Sequence, residues 1–139
     1  MAARSKARKR ALDILFEADQ RQTGFRATLD LWVGRSDPPV PEYSRELVSG
    51  VAEHQASIDA LISGCSEDWT LDRMPPVDRT VLRLAAYELL WRDDIPTAVA
   101  IDEAVELAKS LSTDESPAFI NGVLSKLARQ GRPQASLES

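Results

Sequence analysis

Cysteine and histidine are nearly missing from this chain. Its 139 residues contain one of each, Cys65 and His54. One cysteine excludes an intramolecular disulfide and any cysteine-built metal cluster. Metal-ligand spacings such as HExxH and CxxC do not occur, so no metal is expected. Glycine is sparse, with six residues scattered along the chain. They form neither GxGxxG nor a glycine-rich loop ending in Lys-Ser or Lys-Thr, so no phosphate cradle and no nucleotide cofactor are expected. No apolar run approaches the ~20 residues of a membrane span. Asp13 and Glu17 interrupt the apolar stretch behind the basic N-terminus, which rules out a signal-peptide core and points to a cytoplasmic protein. Strand-type alternation is absent.

Charge, by contrast, is abundant and uneven. The chain has 17 basic and 22 acidic residues, a net charge of −5. Arg4, Lys6, Arg8, Lys9 and Arg10 all fall in the first ten residues, which contain no acid, so the other 129 residues carry −10. A cationic end on an acidic body attracts a polyanion to one place. Nucleic acid is the first candidate, through phosphate neutralisation and counterion release. The plainer alternative is a solvated basic helix end.

Helical periodicity accounts for most of the remainder. Ala7, Ala11, Ile14, Leu15 and Ala18 form one stripe of a helix over 4–21, ended by Gln22-Thr23-Gly24. A short apolar segment, 29–33, follows. Pro41 opens a helix carrying Leu47, Val48, Val51, Ile58, Leu61 and Ile62, with Gly64 as its C-cap. A single turn is expected at 69–71. From Val77, the positions Val81, Leu82, Leu84, Ala85, Leu89 and Leu90 mark a strongly buried helix, and Glu103 on the next helix is a candidate partner for its Arg83. Ile101, Ala104, Val105 and Ala108 mark the inner stripe of that next helix. Ser116-Pro117 reads as N-cap and first-turn proline of a last helix over 117–129, with a fraying tail beyond it. The expectation is an all-α bundle with one domain over 1–130 and a flexible tail over 131–139. His54 reads as a lone surface histidine, and nothing supports an enzyme.

Three stretches together resemble the NusB family. They are Arg4 to Phe16; Val77 to Leu90 followed by Asp94-Ile95-Pro96; and Ile101 to Lys109 closing with Ser116 to Leu124. Each is weak alone, but their order and spacing are specific, and the similarity runs from Arg4 to Leu127. The resemblance implies two packed three-helix bundles without catalysis. It implies pairing with NusE, a small-subunit ribosomal protein, and binding of boxA single-stranded leader RNA. It further implies joining RNA polymerase with other Nus factors to suppress termination, notably in ribosomal RNA operons.

By the same resemblance, Phe16, Glu115, Ser116 and Phe119 join the basic end at RNA, and Asp72 and Asp78 face NusE. Phe16 stands where tyrosine is frequent, Ser5 where a basic residue is, Glu115 for aspartate and Ala118 for lysine. Two other readings differ in class. One is the front domain of a ribosomal RNA cytosine methyltransferase, disfavoured because the chain ends at Ser139. The other is a protein-binding helical module without an RNA role.

Overall fold

The computed structural model describes residues 2–35, 37–67 and 69–131, and these contain seven α-helices, one 3₁₀ turn and no strand. The expected 131–139 tail lies, apart from Gly131, outside the described residues.

Helix α1 (Ala2–Arg21) buries the expected alanine, isoleucine and leucine stripe. It ends where Gln22, not Gly24, takes the left-handed conformation at φ 56°. The apolar segment behind it is a full helix, α2 (Phe25–Arg35), which buries Phe25, Thr28 and Leu29. The single helix expected after Pro41 is two, α3 (Glu42–Glu53) and α4 (Gln55–Cys65), joined at His54 with φ −109° and ψ 19°. Periodicity does not reveal this break, because Leu47, Val51, Ile58 and Ile62 stay on one helical stripe across it. The two halves serve different neighbours: α3 packs on α1, α2 and α5, and α4 on α5 and α7. Gly64 therefore lies inside α4 and is not its cap.

The expected turn sits slightly later, at Leu71–Arg73. Helix α5 (Pro76–Trp91) is buried on almost every face and contacts α1, α3, α4, α6 and α7. In α6 (Thr97–Leu111) the buried stripe is Ala100, Ala104 and Ala108, while Ile101 and Val105 are half-buried. Small side chains let α6 approach α5 and α7 closely, and the larger residues flank the seam. Helix α7 (Ser116–Gln130) buries Ile120, Val123, Leu124 and Leu127 and stops at Gly131, whose φ of 76° suits glycine. Helices α1–α3 form one group and α4–α7 the other, with α5 touching both. This is the two-bundle arrangement, with a fourth helix in the second group supplied by the break at His54.

Half-buried ion pairs tie the groups together. Asp19 of α1 receives Arg79 at 2.7 Å and Arg83 at 3.0 Å, and Arg83 also reaches Asp59 of α4 at 2.9 Å. Arg83 therefore does not pair with Glu103, because its side of α5 faces α1 and α4. Glu103 instead meets Arg8 at 3.3 Å and Ser5 at 2.8 Å. Among the described residues no buried side-chain nitrogen or oxygen lacks a hydrogen-bond partner.

This packing can be tested at two points. Gly50 presses against Tyr87, and a Cβ there would meet ring carbons at 2.1–2.6 Å. Gly50→Ala should cost about 1–3 kcal/mol in urea unfolding through overpacking, with partial rescue by Tyr87→Leu. Burial raises the pKa of Asp19, but Arg79 and Arg83 more than offset it, so the net value lies below the ordinary 3.8. The stabilisation it contributes is therefore full above that value and is lost as pH falls through the lowered folded value. Asp19→Asn should lower stability by roughly 3 kcal/mol at pH 7. Its deficit relative to the unsubstituted protein should shrink on acidification below about pH 4.

Candidate nucleic-acid interface

The five N-terminal cations have separate fates. Arg8 is 3% exposed, and its Nε lies 2.9 Å from both carboxylate oxygens of Glu88. Tyr43 donates its phenolic hydrogen to the same carboxylate. Burial lowers the Arg8 pKa, but hydrogen bonding and attraction to Glu88 reverse that and leave it raised. Burial and Glu88 together push the Tyr43 phenol up, so it remains a donor. Arg8 is thus a buried tie between α1 and α5, with no surface to offer a phosphate. Ala7 beside it is also core, and its carbonyl accepts from Ser44 at 2.7 Å. The end of α1 is therefore structural as well as cationic.

The other four cations lie nearer solvent. Arg4 reaches Asp94 at 3.3 Å and lies 4.4 Å over the Tyr43 ring. Asp94 is held at about 2, first by its hydrogen bond from Arg92, which also grips Glu46 at 2.7 Å. Lys9 pairs with Asp13 at 2.9 Å one turn along α1. Arg10 donates to the Pro38 carbonyl at 3.2 Å and approaches the Trp32 ring. Lys6 is exposed and makes no ion pair among the described residues.

At the far end of the molecule, Asp78 is fully buried beneath the α6–α7 loop. One carboxylate oxygen accepts from Ser112 and the other from Ser116 at 2.9 Å. Thr113 and Ser116 hydroxyls lie 2.8 Å apart. Ser116 is consequently not the N-cap: it is the first helical residue, and its hydroxyl turns inward to Asp78. Glu115 precedes it, exposed, with helical φ −88° and ψ −14° and no side-chain cap. The expectation that Asp78 faces a partner is corrected here, because its burial leaves it no exposed surface to do so. Asp72, on the 3₁₀ turn, is exposed. A hydrogen bond from Thr70 at 2.6 Å is the main cause holding its pKa down.

Phe119 is half-buried and meets Trp69 edge-on, centroids 5.2 Å apart at 70°. Trp69, Asp78, Thr113, Glu115, Ser116 and Phe119 line a cavity of about 220 Å³. Phe16 lines a neighbouring one of about 200 Å³ with Leu12, Asp13, Val77 and Leu111. The two are contiguous in the chain at Val77–Asp78. Lys6, Lys9, Asp13 and Phe16 share one face of α1 by helical spacing. A strip thus runs from Lys6 and Lys9 past Phe16 to Glu115 and Phe119, while Ser116, expected at the RNA, is buried beneath it like Asp78. Arg4, Arg8, Arg10 and Asp72 lie off it. Trp69 and Thr113 on the strip are not among the expected site residues. They sit in loops, where no periodicity marks them, and only the unusual placing of a tryptophan between helices hints at a role. Asp78→Asn, which halves the acceptors available to the two serines, should cost about 1–3 kcal/mol in urea unfolding.

Comparison with known proteins matches this geometry to one family. The NusB family model covers residues 5–129. The transcription antitermination protein NusB of Streptomyces coelicolor is 61% identical over 132 residues, spanning 91% of this chain and 93% of the relative. That of Nocardioides sp. is 55% identical, spanning 93% and 96%. The solved T. maritima NusB superposes with a TM-score of 0.83 at 36% identity, covering 98% of this chain and 97% of that one. A chain from a structure of antitermination factors NusB and NusE with double-stranded RNA gives 0.80 at 27% identity, covering 94% and 98%. With the match reaching into all seven described helices, the chain belongs to the NusB family.

Proposed function

We propose that this chain is a transcription antitermination factor that binds boxA leader RNA together with NusE. In this reading it joins RNA polymerase with other Nus factors in the cytoplasm and promotes read-through, notably in ribosomal RNA operons. It acts by binding and not by catalysis, as a single helical domain over 1–130. The observation that carries the reading is the strip: cations at one end, aromatic rings and an exposed carboxylate at the other. Single-stranded RNA is recognised by such a mixture, with phosphates held by cations and splayed bases stacked and read at their edges.

Lys6 and Lys9 are the phosphate ligands, with Arg4 and Arg10 on the flank. Arg8 contributes by fixing α1 through Glu88. Phe16 and Phe119 offer stacking surfaces, and Glu115 lies at the base-reading end, on the loop that the buried Ser116 ties to Asp78. Asp72, exposed and ionised, faces the basic partner NusE, where opposite charges raise association rate and set orientation. Asp78 acts on the partner and RNA only through the loop it holds. The assembly of NusB, NusE and double-stranded RNA named for a relative supports joint action with NusE and RNA.

Salt dependence tests the reading. Each phosphate contact on a single strand contributes a slope of about −0.7 to log K against log salt. With NusE present, replacing both Lys6 and Lys9 by alanine should flatten the slope for boxA RNA by about 1.4. The helical circular dichroism should be unchanged, since neither side chain is core. An unchanged slope would remove these lysines from the RNA contact. Absence of RNA binding by the unsubstituted protein with NusE at low salt would overturn the function.

A further inference from the structure

We infer that the furrow between α4 and α7 is a seat for the protein partner NusE, with an apolar side chain of that partner entering over the bare backbone of Gly122. This rests on the joint-binding reading above and adds the surface on which it takes place.

Gly122 stands in the middle of α7, where glycine weakens a helix relative to alanine. The other glycines have a local reason or a small cost. Gly50 lies against Tyr87, and Gly131 takes a positive φ. Gly24 lies between α1 and α2, and Gly34 and Gly64 are the penultimate residues of α2 and α4. Gly122 is not in the left-handed region, and a Cβ built on it would meet nothing within 4 Å. The packing of the chain itself therefore makes no use of the missing methyl group. A glycine on an exposed helix face does let an outside group come close to the helix backbone.

The surroundings of Gly122 favour a protein over a nucleic acid. The end of α4, at Cys65 and Ser66, faces Ala118, Gly122 and Val123 of α7 across a cavity of about 290 Å³. Walls this small and apolar suit one anchoring side chain. Ser66 is turned away to the Trp69 carbonyl at 2.8 Å. The two charges of the furrow, Glu67 and Lys126, hold each other at 3.2 Å, so no unpaired cation lines it for a phosphate. Its position fits NusE. Phe119 lines this cavity and also the one at the end of the RNA strip, so an occupant here stands beside bound RNA. Beyond Glu67 the same connection leads to Asp72, the exposed carboxylate assigned above to the basic partner. The furrow thus joins the two places that joint binding must bring together.

The test measures NusE binding to the chain without RNA, beside urea unfolding of the chain alone. Gly122→Ala should raise the urea midpoint, as helix propensity requires, and yet weaken NusE binding several-fold. Gly122→Leu should remain folded, because its side chain enters open space, and should weaken NusE binding by about tenfold or more. Gly34→Leu, equally open but on α2 in the other bundle, should leave NusE binding unchanged. A merely structural glycine would not give a gain in stability together with a loss of binding. A lowered midpoint in Gly122→Ala shows an internal use for the glycine and overturns the seat. If NusE binds the unsubstituted chain and Gly122→Leu equally well, the seat is overturned while the function stands. If Gly122→Leu keeps NusE but loses RNA measured at low salt without NusE, the furrow belongs to RNA and the seat is again overturned. Failure of the unsubstituted chain to bind NusE removes both the seat and the joint-binding reading.

Discussion

Helix α5 places three polar side chains, Asp78, Thr80 and Glu88, where water does not reach, and a fourth, Arg83, where little of it does. A buried polar group without a partner costs several kcal/mol, and a buried charge costs more. Each must therefore find its complement, and three of them find it on other elements. Asp78 takes the serines of the α6–α7 loop. Arg83 takes Asp19 of α1 and Asp59 of α4. Glu88 takes Arg8 of α1 and Tyr43 of α3. Only Thr80 is satisfied within its own helix, by the Pro76 carbonyl. Apolar packing would tolerate a slide or a rotation of α1 on α5, but these pairs would not. Arg8 and Asp19 lie three turns apart on α1 and meet Glu88 and Arg83 on α5, so the two contacts together fix both the register and the antiparallel sense of that pair.

Much of this is legible in the sequence. The helices around Ile14, Val81 and Val123 carry long apolar stripes, and their burial follows from the hydrophobic effect alone. The boundaries that differ from expectation share a physical reason. At His54 the stripe is continuous through a backbone break. At Gly64 a residue that often ends helices sits inside one because Cys65, next to it, is buried. At Ser116 the hydroxyl has a stronger acceptor in Asp78 than the helix N-terminus provides. Local rules describe what a residue prefers in isolation. At these places a tertiary partner, brought from another part of the chain, decides otherwise.

The candidate site shows the same division. The N-terminal charge cluster is conspicuous in the sequence, yet linear charge density cannot separate a solvated lysine from a buried arginine. Arg8 reads as one more member of the cluster, and its Glu88 partner is eighty residues away. Asp78 reads as a first-turn carboxylate available to a partner, and its serine donors are more than thirty residues distant. Phe119 can be read as core or surface, and its half-burial against Trp69 makes it part of each. Trp69 is silent in the sequence because its significance depends on the ring that stands opposite.

Recognition by such a surface separates affinity from choice. With Arg8 committed to Glu88, and Arg4 and Lys9 leaning on Asp94 and Asp13, the cationic end is weaker than its composition implies. The strip also runs past Asp13 to Glu115, and carboxylates along a phosphate path lower non-specific affinity. On the proposed function these are consistent features. A protein that must pick out one element in a long transcript gains nothing from holding every phosphate strongly, because counterion release favours all sequences alike. Weak cationic contact at one end and a base-facing carboxylate at the other shift the balance toward discrimination. The affinity given up must then come from a second protein bound beside it, and that requirement favours joint binding with a basic partner for so acidic a chain.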